Sequence, residues 1–286
     1  LEPEESDNYS VGLVIEPIPT VTFTLDFWSI EKERTIGLFG EENHTLLDLV
    51  GRLENGLNNC AAFQGNPAVV RDSDIEADAA AIYTAAGICP AGDIDFVSDQ
   101  YANLDTRTVR GHDIGIYWDL ETQFGDFVLN YNASFLDKFE QEAGGQAAVL
   151  VEAQESGLLP ANFPVAGFRD LEGVDGNIDE KHSARLNWRN GNWGAAVSGL
   201  RVGDFIQSSL TLSDGTEYKI PSMTTYNASA DYRFEWNDIN VRTRVGINNV
   251  TDERAPLADR FFGYYADVHR DLGRYYFVEL RFSADG

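Results

Sequence analysis

The sequence predicts an all-β protein, an antiparallel transmembrane β-barrel, on three observations. Apolar and polar residues alternate with period two through many segments, the pattern of strands with one apolar and one polar face. Several of these segments run about ten residues or more, whereas strands of soluble proteins cluster near five or six and about ten residues let a tilted strand cross a bilayer. Short turns alternate with longer connections, as in barrels whose turns and loops lie at opposite rims.

The clearest pair of strands lies at residues 226–249. Every second side chain from Tyr226 to Trp236 is apolar or small, and the residues between them are polar. The alternation resumes after the tight turn EWND and runs from Ile239 to Ile247. We expect lipid against the apolar face, because every backbone group of a closed barrel is paired and no strand edge meets hydrocarbon.

About nine such strands can be placed along the chain. The connections PIPT, ETQFGD, RNGN and EWND are short, and those between them are medium or long. Single-chain bacterial barrels have an even number of strands, so we expect residues 1–286 to be the C-terminal part of a larger barrel. Residues 37–95 would be a long extracellular loop insertion, and residues 141–177 a second long loop.

The first long loop is expected to be partly helical. Leu46, Leu47, Val50, Leu53 and Leu57 recur at helical spacing. The Ala-rich segment EADAAAIYTAAG should form a second helix that stops at Gly87.

Composition excludes several classes of protein. The chain has 286 residues and a net charge of -26, which would repel the phosphate backbone of a nucleic acid. No apolar run approaches the roughly 20 residues of a membrane-spanning helix. The only two cysteines, Cys60 and Cys89, are not spaced as a metal motif, and an even count in a chain that looks exported suggests a disulfide.

No catalytic signature is present. The sequence lacks G-x-S-x-G, H-E-x-x-H and phosphate-loop patterns, and its four histidines are scattered. We therefore expect neither an enzyme nor a cofactor. A weak calcium candidate is DLEGVDGNIDE, whose oxygen ligands depart from EF-hand spacing. These ligands are Asp170, Glu172, Asp175, Asn177 and Asp179.

Four segments resemble TonB-dependent outer-membrane receptors. RVGINNVTDERAP is similar to the V-x-N-L-x-D-x-x-P segment of that family, and GRYYFVELRF to its terminal GR-x-Y strand. LEPEESDNYSVGLVIEP resembles the L-x-P-E-x-S-x-x-Y-x-x-G entry into a mid-barrel strand, and NLDTRTVRGHDIGIYWDL a further barrel strand. The matches follow one another over nearly the whole chain. Two departures are the tail SADG after Phe282 and the length of the cysteine-bearing loop.

The resemblance implies the last nine strands of a 22-stranded barrel in the outer membrane of a Gram-negative bacterium. It implies an N-terminal plug domain and a contact with the TonB complex, both upstream of this chain. It also implies active uptake of a scarce solute such as a ferric siderophore, cobalamin or an oligosaccharide. A passive porin-like or adhesin barrel without a plug, and a soluble β-rich binding protein, are the alternatives.

A polar set near the short-turn rim is expected to contact the plug through ion pairs and hydrogen bonds. The alternative is a hydrated wall without a special role. The set comprises Asp231, Arg233, Glu235, Arg242, Arg244, Glu279 and Arg281.

Solute contacts are expected in the long loops. The best candidates are Phe261, Phe262, Tyr264 and Tyr265 in RFFGYYADVHR, because exposed aromatic rings can stack on sugars or catecholate rings. The alternative is that these rings pack against neighbouring loops.

Overall fold

A computed structural model describes residues 1–160, 163, 165 and 167–284. Its strands are β1 (Glu5–Ile18), β2 (Val21–Glu33), β3 (Ile36–Gly37), β4 (Val69–Arg71), β5 (Ile94–Val97), β6 (Ala102–Asn103), β7 (Arg107–Thr122), β8 (Gly125–Gln141), β9 (Glu180–Asn190), β10 (Trp193–Val202), β11 (Phe205–Thr211), β12 (Glu217–Ile220), β13 (Met223–Trp236), β14 (Ile239–Asn248) and β15 (Tyr275–Ala284). Its helices are α1 (Glu41–Asn55), α2 (Ala77–Ala85) and α3 (Gln146–Glu155).

The principal sheet contains nine strands in the order β1-β2-β7-β8-β9-β10-β13-β14-β15. Each pair from β8 to β15 is antiparallel. The nine strands run 10 to 17 residues, long enough to cross a bilayer when tilted. The predicted strand count and the predicted all-β class are confirmed.

The four short connections are all two-residue hairpin turns. In the last of them Asn237 and Asp238 both have positive φ, 48° and 60°. Asn and Asp tolerate this left-handed region better than most residues, and a type I′ turn requires it at both central positions. The turn chemistry therefore sets the register in which Trp236 faces Ile239.

One face of the sheet presents apolar side chains to the surroundings. Tyr276 and Val278 are 70% and 72% exposed, and Val11 on β1 is 69% exposed. Large contiguous apolar surface is rare on soluble monomers, so the exposed face is the one expected to meet lipid. Aromatic residues lie next to the short turns. Phe124, Trp193 and Trp236 are each more than half exposed, as in the aromatic girdle of a membrane barrel.

The chain divides into two units. The insertion unit comprises residues 1–7, 30–108 and 140–170, and the sheet unit comprises residues 8–29, 109–139 and 171–286. The insertion unit carries all three helices and the small pairs β3–β6 and β4–β5. No helix among the described residues is long and apolar enough to cross a membrane.

The insertion unit has its own hydrophobic core, in which α1 packs on α3. Val50 of α1 and Leu150 of α3 are 1% and 0% exposed, and both belong to one buried cluster with Phe39 and Leu159. Cys60 and Cys89 form a disulfide with their Cα atoms 5.3 Å apart, the pairing that the sequence suggests. α1 was predicted from its leucine spacing, although Leu57 lies beyond its end. α3 lies within residues 141–177, the predicted second long loop, and no helix was predicted there.

A buried ion-pair network joins α1 to the rest of this unit. The carboxylate of Asp48, 1% exposed, accepts hydrogen bonds from Arg52 Nε at 2.8 Å and Arg71 Nη2 at 2.9 Å. The backbone N–H of Asn66 donates a third at 2.8 Å. Burial raises the pKa of Asp48, but the hydrogen bonds and the two guanidinium charges lower it more. The pKa therefore lies below its ordinary value.

In the sheet unit, the hairpin β11–β12 and the loop 250–274 form one packed body. Phe205 and Ile220 of the hairpin are 1% and 0% exposed and pack against Tyr265 of the loop. Gln207 Nε2 donates to the carbonyl of Asp259 at 2.9 Å, and Gln207 Oε1 accepts from the N–H of Asp259 at 3.0 Å. The sequence GDFIQSSLTLSDGTE, residues 203–217, predicts a medium loop, and the hairpin shows that this prediction is wrong.

Candidate functional site

Charged side chains gather on the polar face of strands β9 to β15, close to the short turns. Cross-strand register places Asp231 opposite Arg244 and Arg244 opposite Glu279. The next row towards the turns sets Arg233 opposite Arg242 and Arg242 opposite Arg281. Glu235 faces Asn240 in the row beyond. The structure thus brings all seven predicted plug-contact residues together.

Asp231 is the centre of this cluster. Its carboxylate accepts two hydrogen bonds from Arg189 Nη2, at 2.9 and 2.8 Å, and one from Arg242 Nε. The side chain of Asp231 is 4% exposed, compared with 30% for Arg189. Charge-assisted hydrogen bonds of this kind are about twice as strong as neutral ones, so the three residues form a fixed element of the wall.

The Arg233–Arg242–Arg281 row is less well compensated. Arg242 turns towards Asp231, but within the described residues neither Arg233 nor Arg281 forms an ion pair. Like charges directly opposite one another on neighbouring strands are destabilising. One nitrogen of Arg189, Nη1, is buried without a hydrogen-bond partner. Two members of the row, Arg233 and Arg242, line a cavity of about 460 Å³ that Asp119, Glu121 and Asp126 also line. Arg233 and Arg281 are left to pair with an anionic group from another part of the protein.

Arg189 and Gly194 are not among the site residues predicted from the sequence. The alternation of β9 places Arg189 on the polar face, and the RNGN hairpin places it opposite Gly194. Both positions could have been predicted from the sequence. The contact of Arg189 with Asp231 across β10 could not.

The predicted aromatic residues of the last loop divide into two groups. Phe261 and Phe262 are 95% and 66% exposed, and their rings meet edge to face with centroids 5.0 Å apart. Tyr264 lies 6.4 Å from Phe262, ring centroid to ring centroid. These three rings are available for a ligand.

Tyr265 is instead buried and packs in the core beneath the loop. Its ring is perpendicular to that of Phe205 at 4.9 Å, and the side chain is 5% exposed. Its hydroxyl donates to Asp175 Oδ1 at 3.1 Å and accepts from Arg260 Nη2 at 2.9 Å. Burial, the largest cause, raises its pKa above the ordinary tyrosine value. The alternative reading, packing against a neighbouring loop, describes Tyr265, whereas Phe261 and Phe262 project outwards.

The candidate calcium ligands serve other contacts. The carboxylate of Asp175 accepts from the N–H and hydroxyl of Ser208 as well as from Tyr265. Asp179 Oδ1 accepts the N–H of Glu180 at 2.7 Å. In the described part of the chain no group of three or more His, Cys, Asp or Glu side chains is arranged to hold a metal ion. The calcium hypothesis stays a prediction without geometric support.

The comparisons with known proteins bear on this arrangement. A family model described as "TonB dependent receptor-like, beta-barrel" matches residues 1–250. The chain belongs to the TonB-dependent receptor family. The predicted resemblance is confirmed, and with it the outer membrane of a Gram-negative bacterium as the place of the chain. No curated protein sequence matches the chain.

Solved structures show the same fold. The siderophore receptor PirA from Acinetobacter baumannii has a TM-score of 0.54 and 14% identity, over 98% of this chain and 32% of PirA. The G324V mutant of the ferric enterobactin receptor PfeA from Pseudomonas aeruginosa has a TM-score of 0.53 and 13% identity, over 97% of this chain and 31% of PfeA. This TonB-dependent receptor chain therefore spans about a third of each relative. The family is one of receptors and transporters rather than enzymes.

Proposed function

We propose that this chain belongs to an outer-membrane receptor that takes up a ferric siderophore with energy supplied through TonB. The family supports the receptor class, and the two solved structures described above are named a siderophore receptor and a ferric enterobactin receptor. The observation that carries the solute class is the aromatic set of the last loop, in which Phe261 and Phe262 are exposed and Tyr264 is partly exposed, next to the buried residues Tyr265 and Phe205. Aromatic rings presented in this way stack on the flat rings of catecholate ligands.

The loop that carries these rings is preorganised. Tyr265, Phe205 and the paired hydrogen bonds of Gln207 fix the loop before a solute arrives. A fixed loop loses less conformational entropy on binding than a mobile one. The rings of Phe261 and Phe262 are therefore the expected first contacts for the solute.

The test is uptake of radioactive iron, presented as ferric enterobactin, by cells that carry the complete receptor. Changing both Phe261 and Phe262 to alanine should lower initial uptake about tenfold, equivalent to a loss of about 1.4 kcal/mol. Tyr101→Ala is the matched control, because Tyr101 is also exposed, at 66%, but lies in the insertion unit. Uptake that continues in cells lacking TonB would favour the passive porin-like channel.

We also propose that the charged cluster around Asp231 seats the plug domain of the complete receptor. The arginine row supports this role, because two of its members, Arg233 and Arg281, form no ion pair among the described residues, whereas Arg242 pairs with Asp231. An acidic side chain of the plug would supply Arg233 and Arg281 with an anionic partner. The pairs between this plug carboxylate and the exposed arginines would break at modest cost when the plug moves, since exposed pairs contribute only about 0–1 kcal/mol.

A further inference from the structure

A second cavity lies on the polar face of the sheet unit, farther from the short turns. Its floor is formed by β9, β10 and β13 to β15, and residues 267–273 of the last loop cover it. Its volume is about 530 Å³, within the range of roughly 300–1,000 Å³ that small-molecule sites occupy. It does not include Phe261, Phe262 or Tyr264, so it is separate from the exposed aromatic set.

His269 lies in the cover of this cavity with both ring nitrogens unsatisfied. The side chain is 2% exposed, and neither Nδ1 nor Nε2 has a hydrogen-bond partner. Its ring stacks on Phe205 at 5.9 Å with an interplanar angle of 18°. Buried polar groups in native proteins are nearly always hydrogen-bonded, so the two unpartnered nitrogens of this cavity-lining residue leave the imidazole free to hydrogen-bond a ligand.

The charges around the cavity favour an acid. The charged residues that line it are two cations, Lys181 and Arg270, and one anion, Asp267. Within residues 1–160, 163, 165 and 167–284 neither cation forms an ion pair. The local balance is positive in a chain whose net charge is -26. A small anion would find here two cations that are free of ion pairs among the described residues.

The floor supplies both polar and apolar contact. Asn227 and Asn248 lie on the floor, and the side-chain amide of Asn248 makes no hydrogen bond within the described residues. Val202 and Met223 face each other on β10 and β13 and are 5% exposed each. A ligand with one charged end and one apolar body would satisfy both parts of the lining.

We propose that this cavity binds a small organic carboxylate. The carboxylate is held by Lys181 and Arg270, its oxygen accepts a hydrogen bond from a ring N–H of His269, and its apolar body rests on Val202 and Met223. The proposal concerns binding alone. It does not depend on the transported solute or on coupling to TonB.

The experiment is titration of the complete receptor, purified in detergent from outer membranes at pH 7.5, with benzoate as the probe. Ligand-observed NMR gives the dissociation constant, and benzyl alcohol is the neutral control of similar shape. We expect benzoate to bind with a dissociation constant at or below about 1 mM and benzyl alcohol at least tenfold more weakly. Equal binding of the two, or no binding of benzoate up to about 10 mM, would overturn the proposal.

Variants separate a binding role of His269 from a packing role. His269→Phe keeps the aromatic stack on Phe205 but removes the ring nitrogens, and Lys181→Gln removes one cation. Each should weaken benzoate at least tenfold. Lys219→Gln is the control, because Lys219 pairs with Asp204 away from the cavity, and it should leave the constant unchanged. A folded His269→Phe variant that binds benzoate as tightly as the native protein would show that the histidine only packs.

Discussion

Asp231 and Arg189 form an ion pair across an intervening strand. Arg189 is on β9 and Asp231 on β13, and β10 runs between them with Gly194 beneath the bridge. A Cβ atom at Gly194 would lie 2.2 Å from Asp231 Oδ2 and 2.4 Å from Arg189 Nη2. The pair therefore requires a residue without a side chain at this position.

Gly194→Ala should break the bridge. The added methyl group forces the carboxylate and the guanidinium apart, and Asp231 is left with Arg242 alone. We expect a loss of about 2 kcal/mol in the free energy of unfolding, the scale of a hydrogen bond to a charged group. Urea unfolding in lipid or detergent measures it.

Gly199→Ala on the same strand is the matched control. Its added Cβ would meet the Tyr226 ring at 3.3 Å, and that ring faces the open side of the sheet and can shift. A loss at Gly199 equal to that at Gly194 would show that the effect comes from β10 generally and not from the ion pair.

Removing the exposed arginines of the uncompensated row should loosen the plug without harming the barrel. Arg233→Ala with Arg281→Ala relieves like-charge repulsion in the wall but removes the proposed hydrogen-bond donors to a plug carboxylate. We expect cells that carry the complete receptor to admit more of a large antibiotic such as vancomycin, while barrel stability is unchanged or slightly increased. Antibiotic sensitivity and thermal unfolding are the two measurements.

Arg110→Ala is the control for this pair. Arg110 is also exposed, but on β7, where it points to the opposite face of the sheet from the polar residue Asp113. If the double variant and the control admit the antibiotic equally, or if the barrel of the double variant unfolds, the plug-seating role fails.

The insertion unit should depend on Asp48. Asp48→Asn keeps the size of the side chain but leaves Arg52 and Arg71 without their shared counter-charge, and both are largely buried. Breaking a buried pair by removing one partner costs about 3 kcal/mol. Hydrogen exchange of α1 amides should rise accordingly, whereas Asp78→Asn on the exposed helix α2 should leave it unchanged. Unchanged protection of α1 in Asp48→Asn would contradict the network's role.

Period-two alternation was enough to predict the nine strands and the four turns, because each is a local property of the chain. The family was predicted from four segments that resemble its motifs. The missed helix α3 also had a local signal, since QAAVLVEAQE consists largely of helix formers. No local signal in the sequence showed which aromatic rings of the last loop are buried and which are exposed. Tyr265 is buried and Phe261 is exposed because Phe205 and Ile220, distant in sequence, pack on one ring and not on the other. The Arg189–Asp231 bridge likewise depends on a three-strand register that alternation alone does not specify.

Acidification should loosen the last loop through His269. Burial alone lowers the pKa of its imidazole below the ordinary value of about 6.5. As the pH falls, the imidazole of His269 is therefore protonated at a higher pH in the open loop than in the packed loop. Because the open form binds more protons, the stability of packing is complete above about pH 6.5 and falls as the pH drops towards the lowered pKa. Lys181, Asp267 and Arg270 are the charged groups that line the same cavity.

The backbone N–H of His269 donates to the carbonyl of Tyr265 at 2.8 Å, so its exchange rate reports on this packing directly. After correction for the intrinsic rate, protection of this amide should be lower at pH 5 than at pH 7.5. In His269→Phe it should be the same at both, because phenylalanine stacks on Phe205 without a titrating group. If the variant keeps the full pH dependence, another group drives it. If the native protein shows none, His269 titrates with the loop still packed.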